Sequence, residues 1–280
     1  MIKAIVTDVD GVLIGRKENG FFPNPSPAII QAVSEISKNI PVILCSGKPS
    51  FGLMPLIKLM DLHNIHIAAN GAVIFNPDTA EYIVEPIDST AAKTVIQTLE
   101  DNNINTDFVS DKTFIHPQNN VTSFMQKLAE ARFIQPILVQ NLINAMDIYP
   151  VIRIDVFIKP EEKQKVEALL QSYQSLIELH WTTVPFDSMS LGLITKKGLS
   201  KSTAFQKVVQ KLQMDTSDIL GIGDGFNDWD FMQHCGHIGI MGNAEIELIT
   251  VSKTFENRII GGDVDKDGIL NIFRSYKLIL

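Results

Sequence analysis

The chain of 280 residues contains two cysteines, Cys45 and Cys235. So few exclude a disulfide framework and set the expectation of a reducing cytosol. No apolar stretch reaches ~18 residues, so no membrane span is expected. The start offers a single Lys3 and a short apolar run broken by Asp8, which is not a signal-peptide pattern. Basic blocks are missing and the net charge is −8, which argues against a nucleic-acid-binding surface. That charge leaves room for a small anionic substrate, because the local field at a site decides such binding. Internal repeats and low-complexity segments are absent too. What is there is ordinary: 45% apolar and 20% charged residues, the make-up of a globular chain of one large domain or two.

The informative residues come first. Ile2-Lys3-Ala4-Ile5-Val6-Thr7 reads as a strand and ends in Asp8-Val9-Asp10-Gly11. Side chains two apart on a strand share a face, so Asp8 and Asp10 point the same way. Two like charges that close are costly unless a cation lies between them or one takes up a proton. One reading is a metal-assisted carboxylate site with Asp8 or Asp10 as nucleophile. The plainer reading is a strand followed by an Asp-Gly turn. Residues 219–228 tilt the choice. Ile219-Leu220-Gly221-Ile222 is again apolar and ends in Gly223-Asp224-Gly225-Phe226-Asn227-Asp228. Two acidic clusters at two strand ends are where open α/β sheets bind ligands. A hard cation such as Mg2+ takes one or two carboxylates and keeps waters and substrate phosphate in the rest of its shell. Asp8 and Asp224 suit that role.

Between these ends, strands and helices alternate. Helical spacing covers Pro27–Lys38 and Phe51–Leu62, and strands are expected at Pro41–Cys45, Ile65–Ala69 and Ala72–Phe75. Asn70-Gly71 marks a turn. Such alternation argues for a doubly wound parallel sheet, an α/β fold. The middle is different. Helices are expected at Asp88–Asn102, Val121–Ala131 and Pro160–Tyr173, and strands at Ile152–Lys159 and Glu178–Thr183. This reads as an α+β insert, bounded by turn residues near Asn76-Pro77-Asp78 and Pro185-Phe186-Asp187. The core alternation is expected to resume at Met189–Thr195.

Four short motifs run in order: Asp8-Val9-Asp10-Gly11-Val12; Ser46-Gly47-Lys48; Lys201 within Lys197-Gly198-Leu199-Ser200-Lys201-Ser202; and Gly223-Asp224-Gly225-Phe226-Asn227-Asp228. In this the chain resembles haloacid dehalogenase superfamily phosphatases, most closely Cof-type members with a large C2-type (IIB) cap. The resemblance implies a Rossmann-like catalytic core over residues 1–79 and 188–280, and a substrate-selecting α+β cap over 80–187 that closes over it. It implies a cytoplasmic, Mg2+-dependent phosphomonoester hydrolase acting on small organic phosphates, such as sugar phosphates or phosphorylated cofactors. It also assigns roles. Asp8 is the nucleophile that forms an aspartyl-phosphate. Asp10 is the acid and base, and also lends its backbone carbonyl to the metal. Lys201 neutralises the aspartate and phosphate. Ser46, Gly47 and Asn227 hold phosphate oxygens. Asp224 ligates the metal, and Asp228 ligates it through water or holds Lys201. Lys48 stands where the family usually has arginine, and the two are not equivalent where a planar fork is needed.

By residue type alone, Ser46 also suits a helix N-cap, and Lys196 and Lys197 compete with Lys201. Two further functions share the implied fold. A sugar phosphomutase returns the phosphoryl group to a hydroxyl and needs a bisphosphate activator. A non-catalytic phosphate-ligand sensor binds without turnover. Three features invite other readings. Asp263-Val264-Asp265-Lys266-Asp267-Gly268 begins like a calcium loop, but its twelfth position is Arg274 where that loop needs glutamate. His116, His180, His234 and His237 lack metal-ligand spacing. Trp181 and Phe186 fit either a substrate-facing surface or a core.

Overall fold

Ala4–Thr7 forms a strand with all four residues buried. A computed structural model describes the chain over residues 1–15, 24–120, 123–132, 134–183 and 189–280. The first strand lies between Val42–Leu44 and Ile219–Gly223 and is parallel to both. His237–Ile240 and Arg258–Ile260 continue the sheet beyond Ile219–Gly223, again in parallel. Parallel strands covered on both faces read as unbroken apolar sequence, which is why these segments lack polar alternation. On one face, Ala4 and Val6 pack with Phe205, Phe231 and Leu248, which lie on the helices Lys201–Leu212, Trp229–Met232 and Ile246–Val251. On the other, helix Pro27–Ser37 touches helix Ile269–Ser275, whose Ile272 lies against Gly239. Ser26 caps the first of these by accepting the Ile29 N–H at 3.2 Å. The expected doubly wound parallel sheet is the observed one.

Strand His66–Ala68 runs on from this sheet through a bridge between Cys45 and Ile67. It turns back through Ala69–Gly71 into antiparallel Val73–Asn76, so Asn70-Gly71 is a turn as expected. His66 replaces a backbone partner here: its Nδ1 accepts the Leu44 N–H at 3.1 Å. Burial lowers its imidazole to about 3. The folded state therefore binds fewer protons than the unfolded chain between pH 6.5 and about 3, and stability falls as pH drops through that window. The expected contribution is on the order of 5 kcal/mol at the acid end. His66→Asn keeps an acceptor near the Nδ1 position and cannot titrate. Urea denaturation at pH 7 and pH 4 should show a smaller acid loss in the variant than in wild type; equal losses would clear His66 of the effect.

Two compact units divide the described chain. The first comprises Met1–Lys48, Leu53–Tyr82 and Ser200–Leu280; the second comprises Pro49–Gly52 and Ile83–Leu199. The second is the α+β unit. Its six-stranded sheet has the order Ile177–Thr183, Ser190–Lys196, Arg153–Ile158, Asn105–Val109, Phe114–Pro117, Ile137–Val139. Helix Ser89–Asp101 is capped by Asp88, which accepts the Ala91 N–H at 3.0 Å. Val95, Ile96 and Leu99 on its buried face pack with Phe108, Ile154 and Val156 of the sheet.

One expectation is corrected. Ser190–Lys196 does not resume the core. It pairs antiparallel with Ile177–Thr183 on one side and Arg153–Ile158 on the other. The second boundary therefore falls at 199/200 and not at 187/188, and the first shifts from 79/80 to 82/83. An apolar run declares itself a strand, but its sheet is chosen by distant partners. The turn at 185–187, with Phe186, and the helix start at 121–122 lie outside the described residues. Among the described residues no helix is long and apolar enough to cross a membrane. Both cysteines are buried and free.

Candidate active site

The register sets Thr7 beside Ile222, so the two motif-bearing strands end side by side. Asp8 is anchored there by its own N–H, which donates to the Ile222 carbonyl at 2.9 Å. Beyond it the chain turns tightly, with the Gly11 N–H donating to the Ile14 carbonyl at 2.8 Å. Gly11 is required twice over. Its φ is +78°, and a Cβ on it would meet Asp224 Oδ2 at 1.9 Å. The first and fourth motifs are thus in direct backbone-to-carboxylate contact.

Lys201 begins helix Lys201–Leu212, whose start is fixed by a reciprocal cap. Ser200 Oγ accepts the Thr203 N–H, and Thr203 Oγ1 accepts the Ser200 N–H. This aims a buried ammonium at the strand ends. Lys201 Nζ donates to Asp8 Oδ1 at 2.8 Å and to Asp228 Oδ1 at 2.6 Å. The competing lysines lie elsewhere: Lys196 pairs with Glu85 and Lys197 with Glu178, both within the second unit. Burial works to lower the Lys201 ammonium, but Asp228 and Asp8 outweigh it and hold it above its usual value. Burial pushes the Asp8 carboxyl up to about 7; Lys201 opposes this, while Asp228 and Asp10 add to it.

One carboxylate oxygen from each of Asp8, Asp224 and Asp228 lies within 4.8 Å of the others. These are all hard oxygen donors, and three carboxylates against one ammonium leave two negative charges. The donor set therefore fits a hard divalent cation. Asp228 is the most committed of the three. It is fully buried, its Oδ1 takes Lys201, and its Oδ2 accepts the N–H groups of Asp224 and Gly225 at 3.0 Å each. Its oxygens hold the lysine and shape the loop.

The Asp10 carboxylate is not in this group. Its residue is exposed, and both its oxygens lie 2.7 Å from Lys48 Nζ. The strand itself ends at Thr7, and Asp8 and Asp10 both follow it, Asp10 in a bridge with Ile14. The Asp10 charge still acts on Asp8 and helps to raise its carboxyl. Lys48 meets a carboxylate here as a point charge would, without needing arginine's fork. Ser46 is buried, and its N–H donates to the Ile67 carbonyl. Its Oγ accepts the Lys48 N–H at 3.1 Å, while the following helix begins only at Ser50. Ser46 closes a local turn and is not that helix's N-cap. A Cβ on Gly47 would meet Asn70 Oδ1 at 3.0 Å. Asn227 is exposed on the fourth-motif loop.

Two residues absent from the sequence reading support this site. Asn243 Nδ2 donates to the Gly11 carbonyl at 2.9 Å and to Asp224 Oδ2 at 3.3 Å. Glu245 Oε2 accepts the Phe226 N–H at 2.6 Å, and its own N–H donates to the Asp224 carbonyl at 2.8 Å. The available signal was their position, just past the end of the neighbouring parallel strand His237–Ile240.

The other candidates fall away from the acidic group. His116 is buried in the second unit, with Nε2 3.0 Å from the Asn120 carbonyl. His180 and His234 are exposed, and His237 packs edge-on against Tyr276. Trp181 packs on the second unit's core and donates to Glu167. Asp263 closes a turn of its own by accepting the Asp265 N–H at 2.9 Å.

A family model described as haloacid dehalogenase-like hydrolase matches residues 5–273. Phosphatase YwpJ of Bacillus subtilis strain 168 is 24% identical over 277 residues, covering 90% of this chain and 93% of that protein. Two solved structures share the fold. A haloacid dehalogenase-like hydrolase from Bacteroides thetaiotaomicron has a TM-score of 0.83 at 20% identity, over 99% of this chain and 100% of the other. The HAD subclass IIB sugar phosphatase BT4131 has a TM-score of 0.74 at 20% identity, over 99% and 100%. With the family match spanning nearly all of its length, the chain belongs to the haloacid dehalogenase-like hydrolases.

Proposed function

We propose that this protein is a cytosolic, Mg2+-dependent phosphomonoester hydrolase acting on small organic phosphates, sugar phosphates or phosphorylated cofactors among them. The observation that carries the reading is Lys201, buried and bridged between Asp8 and Asp228 at the ends of adjacent strands. An ammonium so placed neutralises an aspartate and a phosphoryl group brought together. The hydrolase relatives named as phosphatases support the same chemistry. Buried free cysteines accord with a reducing compartment.

In this mechanism an Asp8 carboxylate oxygen attacks phosphorus. The Asp8 O–P bond forms, the ester P–O bond breaks, and the leaving oxygen takes a proton from Asp10. Asp10 then accepts a proton from the water that cleaves the aspartyl-phosphate, releasing phosphate. The Ser46 hydroxyl, Gly47 N–H and Asn227 amide hold the phosphoryl oxygens. Lys48 keeps the Asp10 carboxylate in place between turnovers. Asp8, Asp224 and the Asp10 backbone carbonyl would hold Mg2+, with Asp228 behind them securing Lys201. When bound, Mg2+ supplies charge neutralisation for the incoming phosphate. The second unit takes the role of the cap, whose residues select the leaving group.

The test is phosphate release from a panel of sugar phosphates, nucleotides, phosphorylated cofactors and an aryl phosphate, with Mg2+ and with chelator. Release that needs Mg2+ supports the reading. No release from any compound, with tight ligand binding, would replace it with a sensor; isomer formation on adding a bisphosphate would replace it with a mutase. Within the same assay, Asp224→Ala should raise the Mg2+ concentration for half-maximal activity by about 10-fold or more. An unchanged Mg2+ titration would remove Asp224 from the ligand set.

A further inference from the structure

The turn that begins like a calcium loop has a place in this site, and Asn243 is the link. The Asn243 side chain joins three segments distant in sequence. Its Nδ2 donates to the Gly11 carbonyl at 2.9 Å and to Asp224 Oδ2 at 3.3 Å, and its Oδ1 accepts the Val264 N–H at 2.8 Å. An amide suits this position because it donates on one side and accepts on the other. Aspartate would lose the donor and set another charge against Asp224.

The far partner is itself braced. Asp263 Oδ1 accepts the Asp265 N–H, and the Gly268 N–H donates to the Asp263 carbonyl at 3.0 Å. This fixes the turn and leaves the Val264 N–H directed at Asn243. The neighbouring backbone is equally close: the Gly242 N–H donates to the Gly262 carbonyl at 2.8 Å, and a Cβ on Gly242 would meet the Gly262 carbonyl carbon at 2.7 Å.

We propose that Asn243 is a positioning residue for the divalent cation. It pins one oxygen of Asp224, and the 263–268 turn holds it in the orientation that does so. This rests on the Mg2+ reading above. A ligating carboxylate that can rotate must be ordered when the cation binds, and outer partners that remove this cost typically matter 10–100-fold in metal affinity.

The experiment is calorimetric titration of Mg2+ into metal-stripped wild type, Asn243→Ala and Val264→Pro, with thermal melts in chelator. Val264→Pro deletes the N–H that orients Asn243 and substitutes none of the side chains of the site. The backbone accepts it: Val264 opens a short 3-10 turn, and Asp263 before it has φ −67° and ψ 143°, the extended form that precedes proline. Asn243→Ala should weaken Mg2+ binding by about 10–100-fold, and Val264→Pro should weaken it in the same direction. Unchanged Mg2+ affinity in a folded Asn243→Ala overturns the proposal, as does a lower melting temperature without an affinity change, since that marks a purely structural strut. If Asn243→Ala does not fold, Val264→Pro decides. No Mg2+ uptake by wild type overturns the Mg2+ reading itself, and this proposal with it.

Discussion

Asp8→Asn is expected to lose phosphate release by at least about 10^4-fold while the protein stays folded. An amide cannot make the nucleophilic attack, so the first bond never forms. The fold has little to lose. Asp8 is buried, and its carboxyl is raised to about 7 chiefly by that burial. A raised carboxyl means that the folded state holds its proton more tightly than the unfolded chain, so the metal-free protein loses stability as pH climbs from about 4 toward 7. A neutral amide of the same shape removes that penalty, and its oxygen still accepts from Lys201. Thermal melts in chelator at pH 8 should therefore show Asn at least as stable as Asp. Turnover near the wild-type rate would eliminate Asp8 as the nucleophile. A collapsed melt would mean that the carboxylate is needed for folding and that the burial argument is wrong.

The sequence made the two acidic clusters legible because both follow strands buried on two faces, and such strands are written as plain apolar runs. Their meeting could be expected from the rule that ligands gather at strand ends; the register of Thr7 with Ile222 is how the chain realises it. Other parts are settled by partners far away in sequence. Ser190–Lys196 alternates much as any half-buried strand does, and its hydrogen bonds to Ile177–Thr183 and Arg153–Ile158 decide its sheet. The pairing of Lys48 with Asp10 needs a loop geometry that residue type does not encode. His66 standing in for a backbone acceptor of Leu44 leaves no periodic mark at all. Asn243 escaped for the same reason: one amide in a loop looks like a turn residue until its three partners are seen. The choice of Lys201 among three lysines rested on resemblance, and burial between two carboxylates supplies a physical ground for it.

Lys201→Met is the variant expected to cost both activity and stability. In wild type the ammonium satisfies Asp8 and Asp228, both of them buried and Asp228 completely so. Methionine fills much the same volume and leaves two buried carboxylates facing each other. Removing one partner of a buried charge set costs about 3–5 kcal/mol, most of it the penalty on the charges left behind. Denaturation in chelator should show a loss of that size. Phosphate release should fall below detection, since nothing then offsets the charge of Asp8 against that of the phosphate. The two losses are separable. Lys201→Met combined with Asp228→Asn removes the worst of the stranded charge, so the double variant should be more stable than Lys201→Met alone, a non-additivity that marks direct coupling. Its activity should stay lost, because the cation that chemistry needs is still missing. If the double variant regained turnover along with stability, Lys201 would be a structural counter-ion and the mechanism would need another positive charge. If Lys201→Met alone kept its stability, the carboxylates around it would not be the strained, cation-seeking group that the geometry describes.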